Sequence, residues 1–530
     1  MRTAVARISA FLLLVSVACA PNAPATPPQQ TGGAVPPATE QRDEAQVLRV
    51  AVGTMIGNPT PQASRTNHYQ YWPLYDNLTM FGPKYEVRPS VAEKWAVSPD
   101  GLMWTFTIRN GMKFANGDPL TSEDVAFSIQ EIFDRKWPQT SYLMNVTEVT
   151  APNPTTVQLK LSAPNAAIPN GGPFVWILPK KYYQSIGFDA FVLKPIGSGP
   201  YELASFQQAN LISYKKRAEP HAFRRPIASE IQFRFIPEPI QVLNGLTGGE
   251  IDVATAGFSG DQANQLKQRG INVISQLNSA VQFSMPQGSY ELRDSPLKDK
   301  RVRLALNYAV NKEALATGLY GGYAEPTGQL AVPDTDYYDP SVKPFPYDVA
   351  TAKRMLAEAG YPNGFKLTGG LDYSTGRGEQ NLIVAFQADM KAVGVEFDII
   401  PNEESVFVDK AYGRRELPKG DFWSGSNGED TGFFTGVRTF YGCDKPVGGP
   451  RRSMLYCNPE WDKLMDAAYG EADVAKRRAI FLQANKVFRD DVPAIYTITR
   501  SVFFTASPKI KGIDLPTPNS YNLDSMYKIK

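Results

Sequence analysis

Histidine and cysteine are scarce in this sequence. Its 530 residues include 2 His and 3 Cys, which leaves little material for histidine-based metal sites or acid–base catalysis. An excess of one charge is also missing, because 55 Lys and Arg stand against 53 Asp and Glu and no basic run occurs. Nucleic-acid binding usually needs such an excess, so we expect no nucleic-acid partner. Beyond the amino terminus, no apolar run approaches the roughly 20 residues that cross a bilayer.

What is present is typical of a large globular protein. Hydrophobic residues make up 42% of the chain and charged residues 20%, values that exclude a wholly disordered chain. The length predicts two or three domains. With 43 Pro, 28 Phe and 25 Tyr, the composition favours long ordered loops and clefts lined by aromatic side chains.

The amino terminus has the pattern of an export signal. Two arginines precede an apolar run over residues 8–18, which is too short to span a bilayer and is typical of a secretory signal. Small residues then lead to Cys19, which resembles the lipobox of bacterial lipoproteins, although Ser16 stands where that pattern prefers Leu. We predict a signal peptide over 1–18 and lipidation of Cys19, with ordinary cleavage nearby as the alternative.

Residues 19–46 are rich in Pro and Ala and lack the apolar residues of a core. This composition favours extended, solvated backbone, so we expect a tether that holds a folded body off a membrane surface. The protein is therefore expected to be exported, to the periplasm or the cell surface, with a lipid anchor as its only contact with the membrane.

The remaining cysteines, Cys443 and Cys457, lie close together in the sequence. In an exported protein such a pair is more naturally a disulfide than a thiol site, and its short loop is easily closed. No His or third Cys lies nearby, so we expect a disulfide and no zinc site.

Periodicity in the first half of the body predicts strands with one early helix. Val47–Val52, Trp104–Ile108 and Val157–Leu161 are predicted strands. A capping box at Thr121 predicts a helix over Ser122–Asp134.

The second half is richer in helices. Apolar residues at helical spacing predict helices that cover residues 302–310, 352–359, 383–393, 458–469 and 472–489. Asn311 and Asp348 are predicted helix caps, and Val395–Ile400 is a predicted strand. Two mixed α/β halves of different helix content, without an internal repeat, indicate separate lobes.

Sequence motifs of common enzyme classes are missing. The chain has no HExxH, P-loop or dinucleotide fingerprint. A catalytic triad would have to use His68 or His221, and no Gly-x-Ser-x-Gly elbow occurs. Paired carboxylates for glycoside hydrolysis leave no sequence signature, because their separation is a three-dimensional quantity. A secreted hydrolase is therefore kept as the alternative of a different class, and we expect a protein that is not an enzyme.

Eight sequence blocks, in order along the chain, point to one family. They are Arg88–Trp95, Ser98–Gly101, Thr105–Phe114, Asp118–Val125, Gly197–Tyr201, Gly249–Asp252, Arg301–Ala309 and Tyr347–Pro362. The chain resembles the family 5 extracellular solute-binding proteins, the peptide/nickel-type substrate-binding components of bacterial ABC importers. The resemblance extends over about residues 47–530. These blocks consist of turn glycines, helix caps and apolar stripes, so they identify a fold and leave the ligand open.

The resemblance implies a two-lobed α/β fold of the large, three-domain periplasmic-binding-protein type. Lobe I would comprise 47–80, 196–282 and 503–530, with an extra domain over 81–195, and lobe II would span 283–502. Hinges are expected near Gln282–Met285 and Thr499–Phe503. The lobes would close on a solute, and the closed monomer would dock on an ABC permease driven by its ATPase subunits.

In peptide-binding members of the family, a Trp-x-Gly-Asp stretch supplies an aspartate that pairs with the peptide's α-amino group. Here Trp423 begins the corresponding run and Ser426 occupies the Asp position. A neutral hydroxyl does not neutralise an ammonium buried in a closed cleft. Either Glu429 or Asp430 substitutes from nearby, or the ligand is not an ordinary free-amine peptide. Asn427 is a further candidate in this run, and Trp423 either stacks on the ligand or packs inside its lobe.

Other candidate ligand contacts come from both lobes. Met55, Asn58 and Tyr69 lie in the loop region after the first strand, and Tyr373 and Arg377 lie in a loop before a helix of the second lobe. An arginine in that loop would hold a carboxylate, although a solvated loop arginine is the more common case.

Ligand identity is the least determined property. His68 and His221 stand alone in the sequence, so nickel is disfavoured and we expect no metal and no cofactor. Oligo- or dipeptides are the first expectation. An oligosaccharide, an opine or another small organic solute is the alternative, and a binding protein that reports to a sensor instead of a transporter also stays open.

Overall fold

The computed structural model describes most of the chain from Gln46 onward. The described residues are 46–61, 67–255, 258–285, 294–333, 335, 337–375, 379–403, 406–407, 410, 420–428, 441–443, 456–517 and 520–530. Side chains are not described for residues 278–280, 282, 284 and 426–428. Cys19 and, apart from Gln46, the predicted signal peptide and tether lie outside the described residues.

The elements alternate along the chain. The strands are β1 Val47–Val52, β2 Thr79–Phe81, β3 Val87–Pro89, β4 Ala92–Val97, β5 Met103–Ile108, β6 Val146–Asn153, β7 Thr156–Leu161, β8 Tyr201–Gln207, β9 Leu211–Lys216, β10 Glu230–Phe235, β11 Val253–Ala254, β12 Asn272–Ser284, β13 Ala324–Pro326, β14 Phe365–Lys366, β15 Leu371–Ser374, β16 Val395–Glu396, β17 Ile399–Asn402, β18 Phe422–Gly428, β19 Ala494–Ala506, β20 Ile510–Lys511 and β21 Tyr527–Lys528.

The α-helices are α1 Ser122–Asp134, α2 Ile168–Gly171, α3 Lys180–Ile186, α4 Phe188–Leu193, α5 Pro239–Gly248, α6 Gly260–Gln268, α7 Lys300–Ala309, α8 Lys312–Ala314, α9 Val349–Glu358, α10 Gln380–Ala392, α11 Pro459–Gly470 and α12 Val474–Asp491. Short 3-10 turns also occur, for example at His68–Gln70. No helix of the described part is long and apolar enough to cross a bilayer.

The first strand lies inside the largest sheet. β1 pairs in parallel with β10 on one side and with β11 on the other. Its side chains are buried on both faces, because Val50 belongs to one hydrophobic cluster and Ala51 to another. Burial on both faces is typical of a parallel strand, and the predicted strand Val47–Val52 is confirmed.

Residues 92–161 build a smaller sheet of their own, with the order β4-β5-β7-β6. Trp104, Phe106 and Ile108 alternate toward its core, which α1 covers with Val125 and Ile129. The predicted capping box is present at the start of α1, because the Thr121 and Asp124 side chains exchange hydrogen bonds with each other's backbone. The predicted helix Ser122–Asp134 is therefore confirmed.

Two 13-residue strands, β12 and β19, hold the large sheet together. They pair antiparallel from Asn272↔Ala506 to Ser284↔Ala494. The order of the sheet is β17-β15-β18-β12-β19-β11-β1-β10-β9-β8, with β13 beside β19. Within the described residues, the amino-terminal strands therefore join the later strands of the sheet through this long pair.

The predicted helices of the second half surround its part of the sheet. The Asn311 side chain accepts a hydrogen bond from the Ala314 amide and the Asp348 side chain from the Thr351 amide, so both predicted caps are confirmed. The predicted strand Val395–Ile400 is wrong as a single element. It forms β16 and β17, which pair with β14 and β15 in two different sheets.

Candidate functional site

The strands β12 and β19 change register at the middle of the large sheet. An irregularity in the pairing falls between Leu277 and Ser279, opposite Ser501 and Arg500. Ser279 also pairs with Gly428, the last residue of β18. Arg500 and the end of the run that begins at Trp423 therefore lie at the same level of the sheet, about 10 Å apart across two strand spacings.

A polar cluster lies beside this register change. The Ser424 hydroxyl donates to Glu379 Oε2, and Arg500 Nη2 lies 3.5 Å from Glu379 Oε1. The Glu379 side chain is 1% exposed, whereas the Arg500 side chain is 25% exposed. We call Glu379, Ser424 and Arg500 the crossing cluster.

The fold brings the three residues of the crossing cluster to one rim of the hydrophobic core. Ser424 pairs with Phe283, whose ring stacks on Phe386 of α10 at 4.0 Å between centroids. Glu379 is the residue directly before α10. Because paired residues of antiparallel strands share a face, Ser424 lies on the core face, where the start of α10 places the glutamate above it.

Tyr320 also belongs to this rim. Burial raises the pKa of Tyr320, and the positive charge of the nearby Arg500 opposes that rise. The guanidinium therefore lies near a carboxylate and a phenol. Arginine has five donors in a fixed planar fork, so donors remain for another acceptor.

Trp423 lies on the opposite face of β18 from Ser424, because successive side chains of a strand alternate. It is 2% exposed and packs against Phe407, with 5.5 Å between ring centroids. Its indole nitrogen is buried and has no hydrogen-bond partner among the described residues. This position favours packing over ligand stacking.

Tyr373 has a similar environment. It is buried in β15 as part of the hydrophobic cluster that contains Phe283 and Phe386. Its neighbour Asp372 accepts hydrogen bonds from Asn402 at 3.0 Å and from Lys410 at 3.1 Å. The predicted ligand contact of Tyr373 would have to compete with this packing.

The first-lobe candidates gather at the carboxyl ends of the parallel strands β1 and β11. Tyr69 shares a 3.0 Å hydrogen bond with Thr255, the residue after β11. Burial raises the pKa of Tyr69, and its hydrogen bonds to Thr255 and Gln70 oppose that rise. Ligands of open α/β sheets bind at this edge.

Met55 and Asn58 follow β1 at the same edge. Met55 is half-buried against the hydrophobic cluster of this part. The Asn58 side chain accepts a 2.9 Å hydrogen bond from the Thr60 amide. Its carbonyl oxygen accepts one from the Tyr71 hydroxyl at 3.3 Å. Asn58 therefore shapes the loop, and the predicted ligand contacts of both residues stay predictions.

Arg377, Glu429 and Asp430 lie outside the described residues. Of Ser426 and Asn427 only the backbone is described, and it pairs with Val281 and Ala280 of β12. The prediction that these five residues contact ligand therefore stays a prediction.

His221, which stands alone in the sequence, has partners in the fold that are far away along the chain. Its Nε2 lies 2.9 Å from Asp76 Oδ2, and its Nδ1 accepts the amide of Arg224 at 3.0 Å. Since Nδ1 accepts, Nε2 carries the proton and donates it to Asp76. His221 was missed as a network member because its partners are far away in sequence.

Arg224 links this histidine to the carboxyl terminus of the chain. It donates to Asp76 at 3.1 Å and forms a two-pronged pair with Asp524 at 2.6 and 3.1 Å. Ser198 donates to Asp76 at 2.8 Å. We call Asp76, Ser198, His221, Arg224 and Asp524 the Asp76 network.

The electrostatics of the Asp76 network favour the ionised carboxylate. Burial alone would raise the pKa of Asp76, but His221, Arg224 and Ser198 outweigh burial and hold that pKa far below its usual range. His68 takes no part in the network and packs edge-on against Phe174, with 4.7 Å between ring centroids. Among the described residues, no group of three or more His, Cys, Asp or Glu is placed to hold a metal ion.

Cys443 and Cys457 are joined in a disulfide. The bridge lies next to α11, where the Asp462 carboxylate accepts the Cys443 amide at 2.8 Å. Trp461 of the same helix is buried in an aromatic cluster with Tyr456 and Phe488. The disulfide thus joins residues 443 and 457 beside α11, in the helical part of the second half.

The crossing cluster was not found by sequence reasoning. Glu379, Ser424 and Arg500 are separated by 45 and 76 positions, and each looks like a common surface residue. The only available signal was the position of Ser424 within the run that begins at Trp423. Nothing in the spacing predicted its partners.

The chain is similar to known proteins over most of its length. Residues 86–442 match the sequence model described as "Bacterial extracellular solute-binding proteins, family 5 Middle". The dipeptide-binding protein of Escherichia coli is 28% identical over 473 residues, which cover 83% of this chain and 86% of that protein. Heme-binding protein A of Haemophilus influenzae is 24% identical over 490 residues, 86% of each chain.

A solved structure has the same fold. The periplasmic binding protein DppA of Helicobacter pylori, in complex with the peptide STSA, superposes with a TM-score of 0.77 at 23% identity. The superposition covers 92% of this chain and 98% of that chain. The predicted periplasmic-binding-protein-like α/β fold is therefore confirmed.

Proposed function

Because the chain belongs to the bacterial extracellular solute-binding proteins of family 5, we propose that it captures an oligo- or dipeptide and delivers it to an ABC transporter permease. As a member of this family it is a binding protein and not an enzyme. The observation that carries the peptide assignment is its similarity to the Escherichia coli dipeptide-binding protein over 83% of the chain.

The ligand would bind where the long strand pair meets the two parts of the large sheet. Lobe I would present Met55, Asn58 and Tyr69 from the carboxyl edge of β1 and β11, and lobe II would present the run from Ser426 to Asp430. Closure would bend β12 and β19 at the predicted hinges near Gln282–Met285 and Thr499–Phe503. The pairing of these strands is irregular between Leu277 and Ser279 and between Val281 and Gln282, and such a break disrupts the ladder locally.

A second candidate ligand follows from Ser426. Peptide-binding members carry an aspartate at this position, and a serine offers no charge to an ammonium group. An oligosaccharide, an opine or another small organic solute would not need that charge. Heme-binding protein A is a relative of similar coverage, so the family scaffold is not limited to one ligand class.

The cellular setting completes the proposal. The signal over residues 1–18 would export the chain, Cys19 would carry a lipid, and residues 19–46 would hold the monomer near its permease and ATPase subunits. No other part of the protein would contact the membrane.

Native mass spectrometry of freshly purified protein, without refolding, tests the proposed ligand class. We expect bound masses that fragment into amino acids. A single non-peptide mass would replace the peptide assignment by the small-solute candidate. A protein without bound mass would be screened against peptides and sugars by thermal shift, and stabilisation by sugars alone would overturn the peptide assignment.

A further inference from the structure

The crossing cluster is built like an anion site. We propose that Arg500 binds a carboxylate group of the ligand and that Glu379 positions its guanidinium. The inference deepens the proposed function, since it rests on a solute entering the cleft beside the long strand pair. It commits to a ligand with at least one carboxylate, either the carboxyl terminus of a peptide or a small organic acid.

Accessibility identifies the arginine as the member that meets the ligand. Arg500 keeps 25% of its side chain exposed, while the Glu379 carboxylate beneath it is 1% exposed. An ammonium group of a ligand would have to displace the arginine to reach the glutamate. A carboxylate would meet the exposed part of the guanidinium first.

The hydrogen bonds of the cluster are arranged to hold Glu379 rather than to satisfy Arg500. Ser424 donates to Glu379 Oε2, while Glu379 Oε1 has no hydrogen-bond partner among the described residues and faces Arg500 across 3.5 Å. Glu379 is the charged partner of the guanidinium among the described residues, and the Tyr320 phenol lies nearby. Donors of the five-donor fork therefore stay open, and a carboxylate matches that fork with two parallel hydrogen bonds.

The position of Arg500 in the sheet places this carboxylate near the run that contains Ser426. Arg500 and Gly428 both pair with Ser279, and β19 runs on from Arg500 to Thr505, which pairs with Ala254 of β11. Five residues of strand span about 17 Å. An anion on Arg500 would therefore lie between the run of β18 and the edge that carries Thr255 and Tyr69.

A purely structural ion pair is the competing explanation, and the two differ in their effect on binding. The probes are a randomised di- and tripeptide library as free acids, the same library amidated at the carboxyl terminus, and a panel of small dicarboxylic acids. Affinities are measured by titration calorimetry for the complete protein and for Arg500→Gln. Arg354→Gln is the matched control, because Arg354 pairs with Glu358 on an exposed helix face.

We expect the free acids to bind about tenfold or more tightly than the amides. Arg500→Gln should abolish that preference, while the control should retain it. Because the single variant leaves Glu379 buried without a cation, the double variant Arg500→Gln/Glu379→Gln is measured as well. It should fold with both charges removed and should also bind acids and amides equally.

The outcomes separate this inference from the peptide assignment. Amides that bind as tightly as acids, or an acid preference that survives in both Arg500 variants, would overturn the role of Arg500 and leave peptide binding intact. Binding of dicarboxylic acids without peptides would support Arg500 and overturn the peptide assignment. If no probe with a carboxylate binds, the inference is wrong.

Discussion

The Asp76 network and the crossing cluster use the same three kinds of group, a buried carboxylate, an arginine and a serine, for different ends. In the Asp76 network both carboxylate oxygens of Asp76 accept hydrogen bonds, and Arg224 is buried with partners on every side. In the crossing cluster one oxygen of Glu379 has no hydrogen bond to any residue that the structure describes, and the arginine is partly exposed.

The difference shows that a binding protein can use some buried charged groups to stabilise its fold and keep others accessible to a ligand. A network whose members all pair with each other has no capacity left for a ligand, and it ties segments around residues 76, 221 and 524 into one body. The unused donors of the crossing cluster belong to the partly exposed Arg500 and are hydrated in the empty protein. A ligand can replace that water.

The largest expected effect comes from breaking the Asp76 network. Arg224→Ala should lower the free energy of unfolding by about 3 to 5 kcal/mol, because Asp76 and Asp524 remain buried without their cation. Urea unfolding of the wild-type and variant proteins measures the change. The control Arg354→Ala, which removes an exposed pair with Glu358, should cost less than about 0.5 kcal/mol. Equal losses would show that the network is not a stabilising unit.

The next largest effect is expected at Trp423, the residue before Ser424, and it shows whether this ring packs inside its lobe or lines the ligand cleft. Trp423→Ala should lower the stability of the ligand-free protein by about 3 kcal/mol, because its ring is buried against Phe407. Thermal and urea unfolding measure this loss, and Trp423→Phe should recover part of it. Unchanged stability together with weaker ligand binding would instead place Trp423 in the cleft.

A smaller effect concerns acid. The pKa of Asp76 is lowered in the folded protein, so its stabilisation is present above the unfolded pKa of about 3.9 and is lost as the pH falls toward the folded pKa. Asp76→Asn should lower the free energy of unfolding by on the order of 2 kcal/mol at pH 7. Below about pH 4, the stability of this variant should fall less steeply than that of the wild-type protein. Urea unfolding from pH 7 to pH 3 tests this, and parallel pH profiles would contradict it.

The smallest effect comes from the corresponding change in the crossing cluster. Glu379→Gln should alter stability by less than about 1 kcal/mol, because the amide oxygen still accepts from Ser424 and the partly exposed Arg500 is hydrated. The measurement is again urea unfolding at pH 7, beside Asp76→Asn. A loss as large as that of Asp76→Asn would mean that both clusters are structural.

Local elements could be predicted because their causes are local. The capping box at Thr121, the cap at Asp348 and the alternation of Trp104, Phe106 and Ile108 all depend on residues within one turn or one strand. The strand predicted over Val395–Ile400 failed for the complementary reason. Both of its halves are extended, but the choice of sheet depends on distant neighbours, β14 for one and β15 for the other.

The candidate site was predicted less well than the fold. The sequence drew attention to Trp423 and Ser426, since the family motif runs through them. The sequence did not predict which of these residues would face the core, and it did not predict the partners of His221. Glu379 and Arg500 had no motif at all, because they meet only when α10 and β19 pack on the same rim of the sheet.

By itself, the amino-acid sequence determined the family, several of the strands and helices and the caps that begin some of those helices, since these follow from short-range patterns. Tertiary structure alone decided which charged side chains pair fully with each other and which arginine keeps unused hydrogen-bond donors. Whether an arginine becomes part of a closed network, like Arg224, or stays partly open, like Arg500, depends on residues up to 300 positions away.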